Sequence, residues 1–201
     1  MNKHTYRLVV SAMLSAVAFV LMFLEWSIKG VIPEFVKMDI SDIPALMGAY
    51  ALGPVHGLII SGLKNILHAF IKGTSTGYIG ELANFLLGTA FTVTAGLIYY
   101  FNKNKKGAVI SALVGSLVMG IVSIPVNMFI TYPFYCSAFF GGDMEKIIAM
   151  YKAIWSGADE LLKCLVYFNA PFTFVKGLLC SIVVIFVYKP LSPLLHGRNG
   201  D

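Results

Sequence analysis

Charge is what this 201-residue chain has least of. Asp, Glu, Lys and Arg make up 12% of it, about half the share usual in a soluble domain, while 58% is hydrophobic and the mean hydropathy is +0.79. That balance excludes an ordinary soluble globule and points to the bilayer as solvent. No Gly-Lys dipeptide occurs, which excludes a Walker A loop, so any ATP that drives this protein is consumed by another subunit. HExxH and GxSxG are missing, as is any pair of carboxylates within one apolar run, and with them the commonest hydrolase signatures. The three cysteines, Cys136, Cys164 and Cys180, lack CxxC or histidine-partnered spacing and read as small apolar residues, not metal ligands. The net charge of +5 comes from basic residues set between apolar runs rather than interleaved with aromatics, so no nucleic-acid partner is expected. Low-complexity tracts and inverted sequence repeats are also absent.

What is present is a series of apolar runs. Lys3, His4 and Arg7 before Leu8–Leu24 have the outline of a signal peptide, but the run ends in MFLEW without a small-residue cleavage site, so a retained first helix is expected. Further runs cover 43–63, 82–101, 107–142 and 164–188, the last broken only by Lys176, which makes five at face value. The second continues past Lys64 to Ile71, too long for one span, and contains Gly53-Pro54, where proline disfavours helix and removes a donor. A turn there gives six spans. It also places Lys3, Arg7, Lys103, Lys105, Lys106, Lys189 and Arg198 on one side, as the positive-inside rule requires, and every acidic residue except Asp201 on the other side or, for Glu81, at an outer helix end.

The expectation is therefore an all-α integral membrane protein, a single membrane domain over 1–201. It has six transmembrane helices, roughly 6–25, 43–53, 54–71, 80–101, 107–132 and 158–188, both termini cytoplasmic, and a long outer loop after the first helix. The second helix, about eleven residues, covers only ~16 Å, about half the hydrocarbon core. The hollow it leaves is expected to be roofed by the outer segment 25–44, which carries Asp39 and Asp42; Asp42 sits where an N-cap would, with Pro44 in the first turn.

A charge at the bilayer centre costs ~2.5–3.5 kcal/mol on translocon scales, so each intramembrane polar group needs a partner or a purpose. The candidates are Lys64, Asn65, His68, Glu81, Asn84, Asn127 and Lys176. Lys64 and His68 share a helix face, and Glu81 begins the next helix at the same level, so a structural Lys64–Glu81 pair is expected ahead of direct ligand contact. Asn84 shares a face with Glu81, and Thr173 lies one turn before Lys176. Asn84, Asn127, Thr173 and Lys176 come from three helices with no evident charged partner, which reads as a polar-lined cavity, with interhelical glue as the plainer alternative. Phe85, Tyr132, Phe134, Phe172 and Phe174 are candidate walls, against a background of interfacial and packing aromatics. In the first helix, Ser11, Ala12, Ser15 and Ala16 form a small-residue face for another helix, in this bundle or in a partner subunit.

The motifs KMDISDIPALMGAYALGP (37–54), LKNILH (63–68), GELANFLLG (80–88), VNMFITYPFY (126–135) and APFTFVKG (170–177) together make the chain similar to the riboflavin-specific S components (the RibU family) of energy-coupling factor (ECF) transporters, in order over most of its length. The resemblance implies a multi-pass bacterial cell-membrane subunit, not an enzyme and without a cofactor, that captures riboflavin from outside for ATP-driven uptake. It implies substrate contacts from Val36, Lys37, Met38 and Asp39 in the roof, with Asn127 and Lys176, and docking of Ala12 and Ala16 onto the membrane coupling protein EcfT, whose partner ECF ATPase subunits supply the energy. The family pattern P-F-N-x-x-K-G departs here at Thr173, whose hydroxyl cannot donate and accept as an amide does, leaving Asn84, Asn169 or water to compensate. The rival readings are an S component for another vitamin, a membrane-embedded enzyme using Glu81, His68 and Lys64, and an ion or proton channel, although the charges form no ladder across the bilayer.

Overall fold

The computed structural model describes residues 2–74 and 76–196, with side chains as far as Tyr188. The Lys189 side chain, Arg198 and Asp201, all counted toward the charge bias, lie outside the described residues. The protein is an all-helical integral membrane protein: Lys3–Met22, Ile79–Phe101, Lys105–Phe139 and Leu161–Tyr188 are each long and apolar enough to cross a bilayer.

Helix α1 (Lys3–Met22) is capped by Asn2, whose side chain accepts from the His4 amide. It buries Val10, Ser11, Ser15, Ala18 and Met22 at helical spacing. The small residues divide between two faces instead of sharing one. Ser11 and Ser15 point inward, Ser11 Oγ lying 2.8 Å from His56 Nδ1, whereas Ala12 and Ala16 lie exposed among Leu8, Met13, Val17 and Val20. A spacing of four keeps Ala12 with Ala16, and the 100° step from Ser11 to Ala12 separates the pairs.

Helix α2 (Asp42–Leu52) is eleven residues long and buried from Asp42 to Tyr50, enclosed by α1, α3, α4 and α9. Its N-cap is Ser41, not Asp42, which is its first helical residue. It ends at Gly53, whose φ of 109° and ψ of 165° belong to a region essentially reserved for glycine, and Pro54 opens α3 (Pro54–Ile71). The two arms of this turn approach closely: a Cβ at Gly57 would stand 2.8 Å from the Ala49 Cβ.

Helix α4 (Ile79–Phe101) returns alongside α3, and a short turn capped by Asn104 leads into α5 (Lys105–Val126). The chain then stays helical to Phe139 through a wide π turn at Asn127–Thr131 and helix α6 (Tyr132–Phe139). Beyond a glycine turn, α7 (Met144–Lys152) packs at the end of the bundle that carries the roof loop, and α8 (Leu161–Cys164) runs through a second π turn, Leu165–Asn169, into α9 (Ala170–His196). Each π turn stands two residues before a proline, Pro133 and Pro171. A helical proline has no N–H for the carbonyl four residues back and clashes with it; those carbonyls, of Phe129 and Tyr167, sit at the middle of the two wide turns, which make room for the ring.

Two hydrophobic clusters result. The outer one joins Ile32 and Met38 of the roof loop to Tyr132, Ile147, Tyr151, Leu165 and Phe172. The inner one packs Leu46, Met47 and Tyr50 of α2 against Phe91, Met119, Cys180 and Val184. All three cysteines are buried and free. The roof loop folds back on itself, Trp26 and Met38 exchanging two backbone hydrogen bonds of 2.9 and 2.8 Å.

Gly53→Ala is expected to destabilise the protein by about 1–3 kcal/mol, because alanine is forced into a glycine conformation. Gly62→Ala, whose Cβ would meet only Phe85 at an ordinary 3.5 Å, is the neutral control, and thermal unfolding in detergent compares the two.

Candidate functional site

Four buried charges from three places in the chain meet beside the start of α2. Lys64 Nζ of α3 lies 2.5 Å from Asp42 Oδ1 and 2.7 Å from Ser41 Oγ. Lys176 Nζ of α9 lies 2.8 Å from Asp39 Oδ2 and 3.4 Å from Asp42 Oδ2. Ser41 closes the ring, its amide and hydroxyl both donating to Asp39 Oδ1. Two lysines and two aspartates sum to zero charge, the condition under which burial of ions is tolerable.

This corrects the expected Lys64–Glu81 pair. Asp42 takes Lys64 because the roof loop descends to meet it, whereas Glu81 accepts from His68 (3.2 Å), Thr74 (3.2 Å) and Thr76 (3.1 Å). Lys176 also has the charged partners that its helix alone did not suggest, and it reaches Asn84 Oδ1 at 3.4 Å. The sequence separation of Asp39 and Lys176, 137 residues, is why no local pattern announced the pair.

Above the ring opens a cavity of about 860 Å³, in the size range of small-molecule sites. Of the residues expected to meet a ligand, Val36, Lys37, Asp39, Asn84, Asn127, Thr173 and Lys176 all line it. Met38 does not: it is turned into the outer cluster, held by the backbone pair with Trp26. Tyr132 and Phe172 are walls, while Phe85, Phe134 and Phe174 are not among the lining residues; their places are taken by Phe35, Tyr135, Phe139 and Phe140. Asn127 and Thr131 from one π turn and Asn169 from the other also face the cavity, so both irregular turns contribute polar groups to it. Pro133 and Pro171 were the available signals for those turns.

At the rim, Glu25 accepts from Lys37 (2.7 Å) and Lys72 (3.0 Å), tying the roof loop to the end of α3. Burial works to raise the Glu25 carboxyl, but the hydrogen bonds from Lys37 and Lys72 outweigh it and leave it below its ordinary value of 4.5. Asp39 behaves likewise: burial opposes its charge, and the ammonium groups of Lys176 and Lys64 prevail, leaving it well below the usual 3.8.

Comparison with known proteins places this geometry among transporters. Residues 6–188 match the family described as "ECF transporter, substrate-specific component". The chain is 34% identical over 190 residues to "Riboflavin transporter RibU" of Staphylococcus aureus (strain TCH60), covering 94% of this chain and 92% of that protein. It is 30% identical over 195 residues to "Riboflavin transporter FmnP" of Bacillus subtilis (strain 168), covering 96% of each. A solved structure described as "Structure and mechanism of the S component of a bacterial ECF transporter" superposes with a TM-score of 0.72 at 29% identity, covering 97% of this chain and all of that one.

Lys64→Met strands Asp42 beside Lys176 and is expected to cost about 3–5 kcal/mol of stability, read as a lowered Tm, with a smaller effect on ligand affinity because Lys64 does not line the cavity. The pH dependence follows from Asp39 and Glu25. Both carboxyls are depressed in the folded state, so their stabilisation is complete above the ordinary carboxylate values and is lost as pH falls through the folded ones. Tm should be nearly level from about pH 7 to 5 and drop below about pH 4, and Asp39→Asn should show a shallower acid drop from its own neutral value.

Proposed function

Because the chain belongs to the family of ECF transporter substrate-specific components, we propose that it is the riboflavin-binding subunit of an ECF-type vitamin importer, taking the vitamin from outside the cell for uptake driven by partner subunits. The observation that carries this reading is the composition of the cavity. Aromatic rings of Phe35, Tyr132, Tyr135 and Phe172 offer flat apolar walls, while Asn127, Thr173 and the Asp39–Lys176 pair offer hydrogen bonds within the same space. A tricyclic ring with a polar edge and a hydroxylated tail has the matching distribution of surfaces. The relatives named as riboflavin transporters point the same way.

In this reading Asn127, Thr173, Lys176 and Asn84 bond the vitamin directly, Asp39 both meets it and orients Lys176, and Val36 and Lys37 close over it from the roof. The chain performs no chemistry of its own, in keeping with a family of transporter components. The whole chain, 1–201, is one membrane domain of six spans: α1, α2, α3, α4, α5–α6 and α8–α9. The short α2 counts as a span because the roof loop and the cavity beneath it make up the depth it leaves. Lys3, Arg7, Lys103, Lys105 and Lys106 belong to helix ends remote from the cavity rim, and the positive-inside rule makes that side cytoplasmic, with both termini. The exposed Ala12–Ala16 stripe lies toward the same side and allows the close helix approach needed to dock the coupling protein EcfT, through which the ATPase subunits act in the cell membrane.

Detergent-purified protein is expected to be yellow or to take up flavin absorbance with about one riboflavin per chain, and thiamine, biotin and folate should not compete. Failure to bind riboflavin, with tight binding of one of the others, would overturn the choice of vitamin. Lys176→Met should weaken riboflavin by roughly 10- to 100-fold, the loss of one hydrogen bond to a charged group. Ala12→Leu with Ala16→Leu should leave that titration unchanged and abolish uptake by cells carrying the coupling module.

A further inference from the structure

Three carboxylates line the cavity, and two of them are committed to lysines: Glu25 to Lys37 and Lys72, Asp39 to Lys176. Glu81 is the third, and among the described residues its one ion-pair partner is a histidine, His68. His68 Nδ1 lies 3.2 Å from Oε1, and the hydroxyls of Thr74 and Thr76 donate to Oε2 at 3.2 and 3.1 Å. Those hydroxyls are themselves fixed. Thr74 Oγ1 accepts from the amides of Thr76 and Tyr78, and Thr76 Oγ1 from the amide of Gly80, so the turn that leads into α4 holds the carboxylate in one orientation. A carboxylate has about four acceptor sites, two on each oxygen. Both on Oε2 are filled and His68 takes one on Oε1, which leaves the other Oε1 site for a further donor. The side chain keeps 11% of its surface exposed, on the cavity it lines.

The position of Glu81 says which kind of donor suits that site. It stands one turn nearer the outer end of α4 than Asn84, ~4.5 Å along the helix, and Asn84 is the residue that reaches Lys176. Toward the rim come Lys72 and Glu25, whose side chains are 33% and 28% exposed, so Glu81 lies between the charged ring and the mouth. Its own neighbours are hydroxyls and an imidazole. The flat walls come from other elements, Phe35 of the roof loop packing edge-on against Tyr132 of α6 with ring centroids 5.8 Å apart, and Phe172 of α9. A planar ring system gains from such walls, whereas a flexible chain of hydroxyls gains from a fixed anionic acceptor, to which O–H bonds are roughly twice as strong as to a neutral one.

We infer that Glu81 accepts a hydroxyl of the vitamin's tail on Oε1, and that His68, Thr74 and Thr76 are positioning residues that hold the carboxylate for this contact. The inference rests on riboflavin being the ligand and adds to that reading the residue that distinguishes a tailed flavin from the bare ring. It also gives a purpose to a buried carboxylate that the fold supplies with no lysine.

The test is an equilibrium titration of riboflavin and of lumiflavin, the same ring with a methyl group in place of the tail, against wild type and Glu81→Gln. Wild type should bind lumiflavin more weakly by about tenfold or more, the loss of a hydrogen bond to a charged group. Glu81→Gln keeps the shape and removes the charge. It should weaken riboflavin by about tenfold and change lumiflavin by less than about threefold, so that the ratio of the two affinities falls. A general loss of stability weakens both ligands together and does not move that ratio. If Glu81→Gln does not fold, Glu81→Asp decides, since it keeps the charge and withdraws the carboxylate by one methylene: a lowered ratio supports the assignment and an unchanged one overturns it. Wild type that binds both ligands equally, or Glu81→Gln that keeps the wild-type ratio, overturns this inference alone. Wild type that binds no riboflavin overturns the proposed function as well.

Discussion

Two lysines inside the apolar bundle oblige the chain to bring two aspartates to them. Lys64 stands in the middle of α3 and Lys176 well inside α9, where an unpaired ammonium is costly. Asp39 and Asp42 reach them only if the segment between α1 and α2 descends into the bundle, and α2 begins at the level where those contacts are made. The shortness of α2 is thus a consequence of charge pairing. An eleven-residue helix that starts at buried lysines leaves the space above it open, and that space is the cavity.

The remaining devices serve the shape of this space. Gly53 turns α2 into α3 within one residue, so that the two can pack antiparallel with Gly57 against Ala49. Pro133 and Pro171 open the helical ladder one turn earlier, and the widened turns deliver Asn127, Thr131 and Asn169 to the cavity while the helices continue. Above, the Trp26–Met38 backbone pair and the Glu25 bonds to Lys37 and Lys72 hold the roof loop in register with the residues it must present.

Much of this was legible before any coordinates. Composition gave the membrane class, Pro54 gave the split of a run too long for one span, and isolated polar residues in apolar runs located Asn84, Asn127, Thr173 and Lys176, all of which line the cavity. What was not legible depends on where side chains from distant segments meet. Lys64 has Glu81 near it in sequence and Asp42 near it in space, and only the path of the roof loop decides between them. Met38 looked like its neighbours Lys37 and Asp39, yet alternation in an extended pair turns it to the opposite side. Helix α7 is short and half polar, and only the fold joins its Tyr151 to Asn169, eighteen residues on.

The central claim is that the buried charges act as a unit, and a double-mutant cycle on Lys176 and Asp39 tests it most directly. Thermal unfolding is measured for wild type, Lys176→Met, Asp39→Asn and the double variant. If the quartet holds the roof loop and α2 in place, each single change strands a buried charge, and the double variant loses clearly less than the sum, with a coupling of about 1–3 kcal/mol. Losses that simply add would show that the two residues contribute independently and would contradict the account.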